Sequence, residues 1–140
     1  MLCESLILGV HLASAHLQPA INQHNANPGI YAECDGLTAG AYRNTLGRAS
    51  VYAGYTLHSG PFAVSLGAVS GYQKRYAPGE CRPGYREDAA NPCLKLYGIT
   101  ASRLMPMIAP SVSLGPARLW YLPRVGAHSS VLHLSLQHQF

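Results

Sequence analysis

Seven histidines, four cysteines and six carboxylates are the side chains of this 140-residue sequence best suited to bind metal or move protons. Their spacing excludes several familiar uses. No two histidines form the HExxH pair that sets two imidazoles on one helix face for zinc. Cys3, Cys34, Cys81 and Cys93 contain no CxxC, so neither a metal site nor a cofactor is expected. No glycine-rich phosphate loop and no GxSxG elbow occurs. Glu87 and Asp88 fall in a polar stretch, and no carboxylate pair is placed for glycosidase work. Cys81 and Cys93 bracket a Pro/Gly-rich loop that a disulfide would close easily, which would imply an oxidising compartment. Two free thiols fit the same spacing.

The elements that must position such residues are short. Asp35-Gly36 lies between two runs, the pattern of a two-residue hairpin turn that needs positive φ. Gly60-Pro61 and Gly115-Pro116 separate further pairs of runs. These signals cut the chain into eight predicted strands, at 5–16, 29–34, 37–43, 49–58, 61–71, 105–114, 117–122 and 131–140. Helical periodicity is nowhere sustained, and no apolar stretch of about 18 residues offers a transmembrane helix. The expectation is one all-β domain over residues 1–140: a small closed antiparallel up-and-down barrel of about eight strands. One long charged loop or hairpin excursion is expected at 72–104.

Charge is scarce and unevenly placed. Charged residues are 11% of the chain, against a usual share of roughly 25%, and eight of the sixteen fall between Lys74 and Lys95. Within the predicted strands only Glu33, Arg43 and Arg118 are charged. The net charge of +4 is scattered, without the clustered stripe that a nucleic-acid surface requires, so no nucleic-acid partner is expected. The low charge and high apolar content also exclude disorder.

Period-two patterning sorts the strands into two faces. Phe62, Val64, Leu66 and Ala68 oppose Ala63, Ser65, Gly67 and Val69. Val51, Ala53, Tyr55 and Leu57 oppose Tyr52, Gly54 and Thr56. Leu132, Leu134 and Leu136 oppose His133, Ser135 and Gln137. Small and neutral residues suit the crowded interior of a narrow barrel, and large apolar residues then face lipid or a protein partner. The opposite assignment, with the apolar face inside and a Ser/Thr/Gln exterior, gives a soluble barrel. Exposure of Phe62, Val64, Leu66, Leu134 and Leu136 decides between them. Trp120 and Tyr121 suit a membrane interface or a core.

The run Gly40-Ala41-Tyr42-Arg43-Asn44-Thr45, followed by Val51-Tyr52-Ala53-Gly54-Tyr55, resembles the lipid A palmitoyltransferase family of eight-stranded outer-membrane β-barrels. That family shows Gly-x-aromatic-basic-Asp-Ser and then Ala-Gly-Tyr. The stretch Pro106 to Pro110, then Ser111 to Pro116, Tyr121-Leu122-Pro123 and a terminal Gln139-Phe140, is similar to its last three strands. His16 with Asn25-Ala26-Asn27-Pro28-Gly29 also resembles small phage or bacterial proteins of unknown role. The palmitoyltransferase resemblance implies acyl transfer at the barrel rim, with Thr45 as the hydroxyl, His16 (or His11) as its base and Asn44 at the aspartate position. Asn44 departs from the family: it carries no charge to stabilise an imidazolium. Asn44-Thr45-Leu46-Gly47 also reads as a turn, and residues 25–29 as a loop leading into a strand. Arg48 pairs with backbone at the rim or binds an anionic head group.

The degraded catalytic pattern makes a non-enzymatic barrel module the first expectation. It would bind a protein or lipid partner through the rim at His16, Asn25, Asn27 and Arg48, and a homo-oligomer is open to it. A membrane-embedded acyltransferase is the alternative, and a soluble barrel holding a small apolar ligand is the third. Glu4 and His11 interrupt what a signal peptide would need. The compartment therefore stays open between outer membrane, a phage-associated setting and cytoplasm.

Overall fold

A computed structural model describes residues 3–17, 24–73, 75–78, 94–97, 102–123 and 130–140. Among these residues ten strands form: β1 (Leu6–His16), β2 (Ala26–Cys34), β3 (Leu37–Arg43), β4 (Ala49–Ser59), β5 (Phe62–Ser70), β6 (Arg75–Pro78), β7 (Leu94–Tyr97), β8 (Leu104–Leu114), β9 (Ala117–Leu122) and β10 (Val131–Gln139). Eight close into a barrel in the order β1-β10-β9-β8-β5-β4-β3-β2, and β6 pairs with β7 in a separate hairpin. The barrel neighbours run antiparallel. The expected all-β closed barrel is thus what the chain forms. The excursion carries a hairpin of its own, and Cys81 and Cys93 lie outside the described residues.

The two ends of the barrel differ. At one end lie the tight turns at 35–36, 60–61 and 115–116, together with the start of β1 and the end of β10. Asp35 and Gly36 both take positive φ, 50° and 89°, as the hairpin turn requires. Cys3 is bonded to Cys34 here, with Cα atoms 5.5 Å apart, and Asp35 accepts hydrogen bonds from the Glu4 and Ser5 amides. The other end carries the longer connections at 17–25, 44–48, 71–103 and 123–130.

The side chains sort oppositely to those of a water-soluble barrel. Phe62 (63%), Val64 (37%), Leu66 (44%), Leu134 (39%) and Leu136 (42%) are all exposed on the outside. Leu8, Val10, Ile30, Val51, Leu57 and Ile108 continue the same apolar surface. The lumen is polar and aromatic. In its tight-turn half Arg118 is fully buried and lies over the Trp120 ring, 4.0 Å from its centroid. Arg118 also donates to Ser111 Oγ at 3.0 Å and to Glu33 at 3.3 Å. Glu33 in turn pairs with His58. Gln137 accepts from Tyr31 at 2.9 Å and donates to Ser113, so side chains from β2, β4, β8, β9 and β10 meet across the lumen. Trp120 is therefore a lumen residue, while Tyr121 points outward.

Two glycines make room for this filling. A Cβ on Gly9 would stand 2.2 Å from the Tyr31 ring, and one on Gly40 would stand 2.6 Å from the Tyr52 ring. Among the described residues, β8 pairs with β9 only over Ser111–Leu114. Pro106 and Pro110 fall in the part of β8 that has a partner in β5 but none in β9. A missing N–H removes no ladder bond on that side.

Candidate functional site

The half of the lumen toward the long connections holds a line of hydrogen-bonded groups from three strands. His11 points inward from β1. Strict alternation would then send Ser14 outward, but the β1 register shifts between His11 and Ala13 against both neighbours. This bulge turns Leu12 and Ala13 outward and brings Ser14 inside, directly opposite His133 of β10. Bulges re-aim side chains in this way. Ser14 Oγ lies 2.8 Å from His133 Nδ1, His133 Nε2 lies 2.8 Å from His11 Nδ1, and His11 Nε2 lies 3.0 Å from the Tyr52 hydroxyl. All four residues are buried. One tautomer assignment satisfies the line: Ser14 donates to His133, His133 to His11, and His11 to Tyr52.

Aromatic rings hold the imidazoles in place. The centroids of Tyr31, Tyr42, Tyr52, Trp120 and His133 lie 4.9–6.3 Å from that of His11. Beside the line is a cavity of about 40 Å3, walled by Ser14, Asn27, Thr45, Tyr72, Met107 and Trp120 among others. Asn27 is almost fully buried. Its Nδ2 donates to the Arg43 and His24 carbonyls, and its Oδ1 has no partner among the described residues. Tyr42 and Tyr72 share a hydrogen bond of 2.8 Å. Burial, reinforced by the neighbouring Tyr42, pushes the Tyr72 hydroxyl well above its ordinary pKa.

The residues singled out from sequence occupy different places. His16 Nδ1 donates to Asn25 Oδ1 at 3.0 Å, so these two meet, and no hydrogen bond joins His16 to Thr45 among the described residues. Asn44 is buried and organises the β3–β4 connection. Its Oδ1 accepts from the Leu46 and Arg48 amides, and its Nδ2 donates to Ser50 Oγ and the Gly71 carbonyl. Thr45 lines the luminal cavity with Asn27. Asn27 belongs to β2, which starts at Ala26 and takes in residues expected to form a loop. Arg48 donates to the Gln73 carbonyl at 2.9 Å and lines a rim cleft of about 590 Å3 with Ser70, Gln73 and Arg103. Among the described residues the one cluster with metal-ligand character is Cys3, Cys34 and Asp35, where the two sulfurs are bonded to each other.

Sequence reasoning places His133 on the polar face of its strand and names His11 second to His16. It misses Ser14, whose inward aim depends on the bulge. A serine three residues after an inward histidine is the available signal. No family model matches the chain, and no curated protein matches it.

Proposed function

We propose that this protein is a membrane-embedded barrel of the outer-membrane type that acts at its long-connection end by binding an anionic lipid. The continuous apolar outer surface around a polar, filled lumen carries this reading, because it is the sorting that a bilayer demands. Three further features agree with it. β1, β2, β4, β5, β8 and β10 are 9–11 residues long, the length of a tilted strand that spans a bilayer. Tight turns at one end and long connections at the other follow the usual asymmetry of such barrels. The eight strands are even in number and antiparallel.

The lipid partner is favoured over a protein partner by the rim cleft. Arg48 and Arg103 line it together with Ser70 and Gln73, beside the long-connection edge of the apolar surface. Two guanidinium groups at that height suit a phosphate-bearing head group. The soluble-barrel alternative would need these faces inverted. Acyl transfer through His16 and Thr45 has less support, since Asn44 commits both ends of its amide, Oδ1 to its own turn and Nδ2 to Ser50 and the Gly71 carbonyl.

Flotation of refolded protein with vesicles tests the reading. The protein should float with the vesicles, show β-rich circular dichroism, and run faster on gels before boiling than after. Binding should be stronger to vesicles containing anionic lipid, and Arg48→Gln with Arg103→Gln should remove the difference. A chain that folds to the same β-rich state in plain buffer and stays with the aqueous fraction would refute it.

A further inference from the structure

The hydrogen-bonded line in the long-connection half of the lumen has the parts of a nucleophilic centre, and nothing in the binding role uses it. We propose that Ser14 is an acyl-accepting nucleophile, with His133 as its base, and that the site cleaves esters of short, acetyl-sized acids. The geometry meets the order such chemistry needs: a hydroxyl on a base, and the base on a group that fixes its orientation. Ser14 Oγ sits 2.8 Å from His133 Nδ1, and His11 fixes His133 from the far side at 2.8 Å. The arrangement is costly to build. It takes a β-bulge to turn Ser14 inward and places two imidazoles side by side away from water. A structural polar contact would need neither.

The cavity sets the substrate class. About 40 Å3 exceeds the roughly 10–15 Å3 that one water needs and is far below the ~150 Å3 of a cavity that takes up benzene, so an acyl group seated there is no larger than about an acetyl. Met107, Ala109, Trp120 and Leu122 give that space an apolar side. Asn27 Oδ1, buried and without a partner among the described residues, is an acceptor on the wall for a hydroxyl or water. Tyr42 and Tyr72 line the same space, and the hydroxyl proton not spent on their mutual hydrogen bond is a donor beside it.

The reaction balances without a co-reactant other than water. The Ser14 proton passes to His133 Nδ1 as Oγ bonds to the ester carbonyl carbon. The ester C–O bond then breaks, and the leaving alcohol takes the proton from His133. Water next attacks the acyl-serine and gives its proton to His133. The Oγ–acyl bond breaks, Ser14 recovers its proton, and the carboxylic acid departs. His11 is a positioning residue, holding the tautomer in which His133 Nδ1 is the free acceptor.

The test uses the full chain refolded in detergent micelles, so it stands apart from entry into bilayers. With p-nitrophenyl acetate the protein should release nitrophenol in a burst, and peptide mapping should find the acetyl group on Ser14. Ser14→Ala should lower the rate about 100-fold, and p-nitrophenyl octanoate should react roughly tenfold or more slowly than the acetate. His11→Gln, which keeps an acceptor toward His133, should retain most of the rate, whereas His11→Leu should lose it and shift the pH profile. If Ser14→Ala does not fold, Ser14→Cys replaces it: iodoacetamide should alkylate the introduced thiol faster with His133 present than in the His133→Gln background. A Ser14→Ala protein as reactive as wild type, acetylation elsewhere only, or alkylation of the Ser14→Cys variant at a rate indifferent to His133 would overturn the proposal.

Discussion

A single side chain can hold a turn together or drive a reaction, and its hydrogen bonds decide which. Asn44 illustrates the first case. Its amide satisfies two backbone N–H groups and donates to a hydroxyl and a carbonyl, so little of it is left for chemistry. Replacing it with aspartate would restore the charge that a catalytic aspartate would bring, yet would set a carboxylate oxygen 3.0 Å from the Gly71 carbonyl where a donor now stands. Asn44→Asp should therefore lower stability by about 1–3 kcal/mol, read as the urea midpoint in micelles, and should raise no acyl transfer between lipids. A gain in transfer would restore the rim site suggested by the resemblance. The same logic is partly open to sequence reading. Asn44-Thr45-Leu46-Gly47 reads as a turn from residue types alone, whereas the bonds to Ser50 and Gly71 depend on strands that meet only in the folded barrel.

At the scale of elements, period-two patterning and glycine-containing turns locate all eight barrel strands, with small differences at their ends. β2 starts at Ala26 rather than Gly29, because Pro28 and the asparagines beside it look like a loop until β1 offers them a ladder. The bulge in β1 is the larger gap. An extra residue changes which face Ser14 takes, and residues 5–16 are tolerant of either alternation. The disulfide is another long-range fact. Cys3 and Cys34 come together only because β1 and β2 are antiparallel, with Leu6 opposite Cys34, while the eye goes to Cys81 and Cys93, close in sequence. Cys3–Cys34 closes a loop with a sequence separation of 31 and fastens the start of the barrel. Reduction, or Cys3→Ser with Cys34→Ser, should cost about 2–4 kcal/mol. The thermal midpoint of wild type should fall with reductant and that of the double variant should not respond. An equal response in both would assign the effect to other cysteines.

For the whole molecule, the scarcity of charge resolves into a division between inside and outside. Glu33 and Arg118 are charged strand residues that the fold draws into the lumen and pairs with each other, which leaves Arg43, at the long-connection end of β3, as the one Asp, Glu, Lys or Arg on the outer face of the barrel strands among the described residues. The sequence pattern separates the two faces, but the choice of face pointing outward needs the closed barrel, whose lumen is already filled by Tyr31, Tyr52, Arg118 and Trp120. An outer wall of that kind responds to a new charge according to what it touches. Leu66 lies at the middle of β5 and Phe62 at its tight-turn end, both exposed. In a bilayer, arginine near the midplane costs about 2–4 kcal/mol and near the interface about 0–1. Leu66→Arg should therefore destabilise the vesicle-folded protein by the larger amount and Phe62→Arg by the smaller, in denaturant unfolding followed by gel mobility. Against water the two substitutions would be alike, since each would replace an exposed apolar side chain by a solvated one. A steep difference between positions on one strand and one face thus reports depth in lipid, and equal small effects would remove the membrane from the account of this protein.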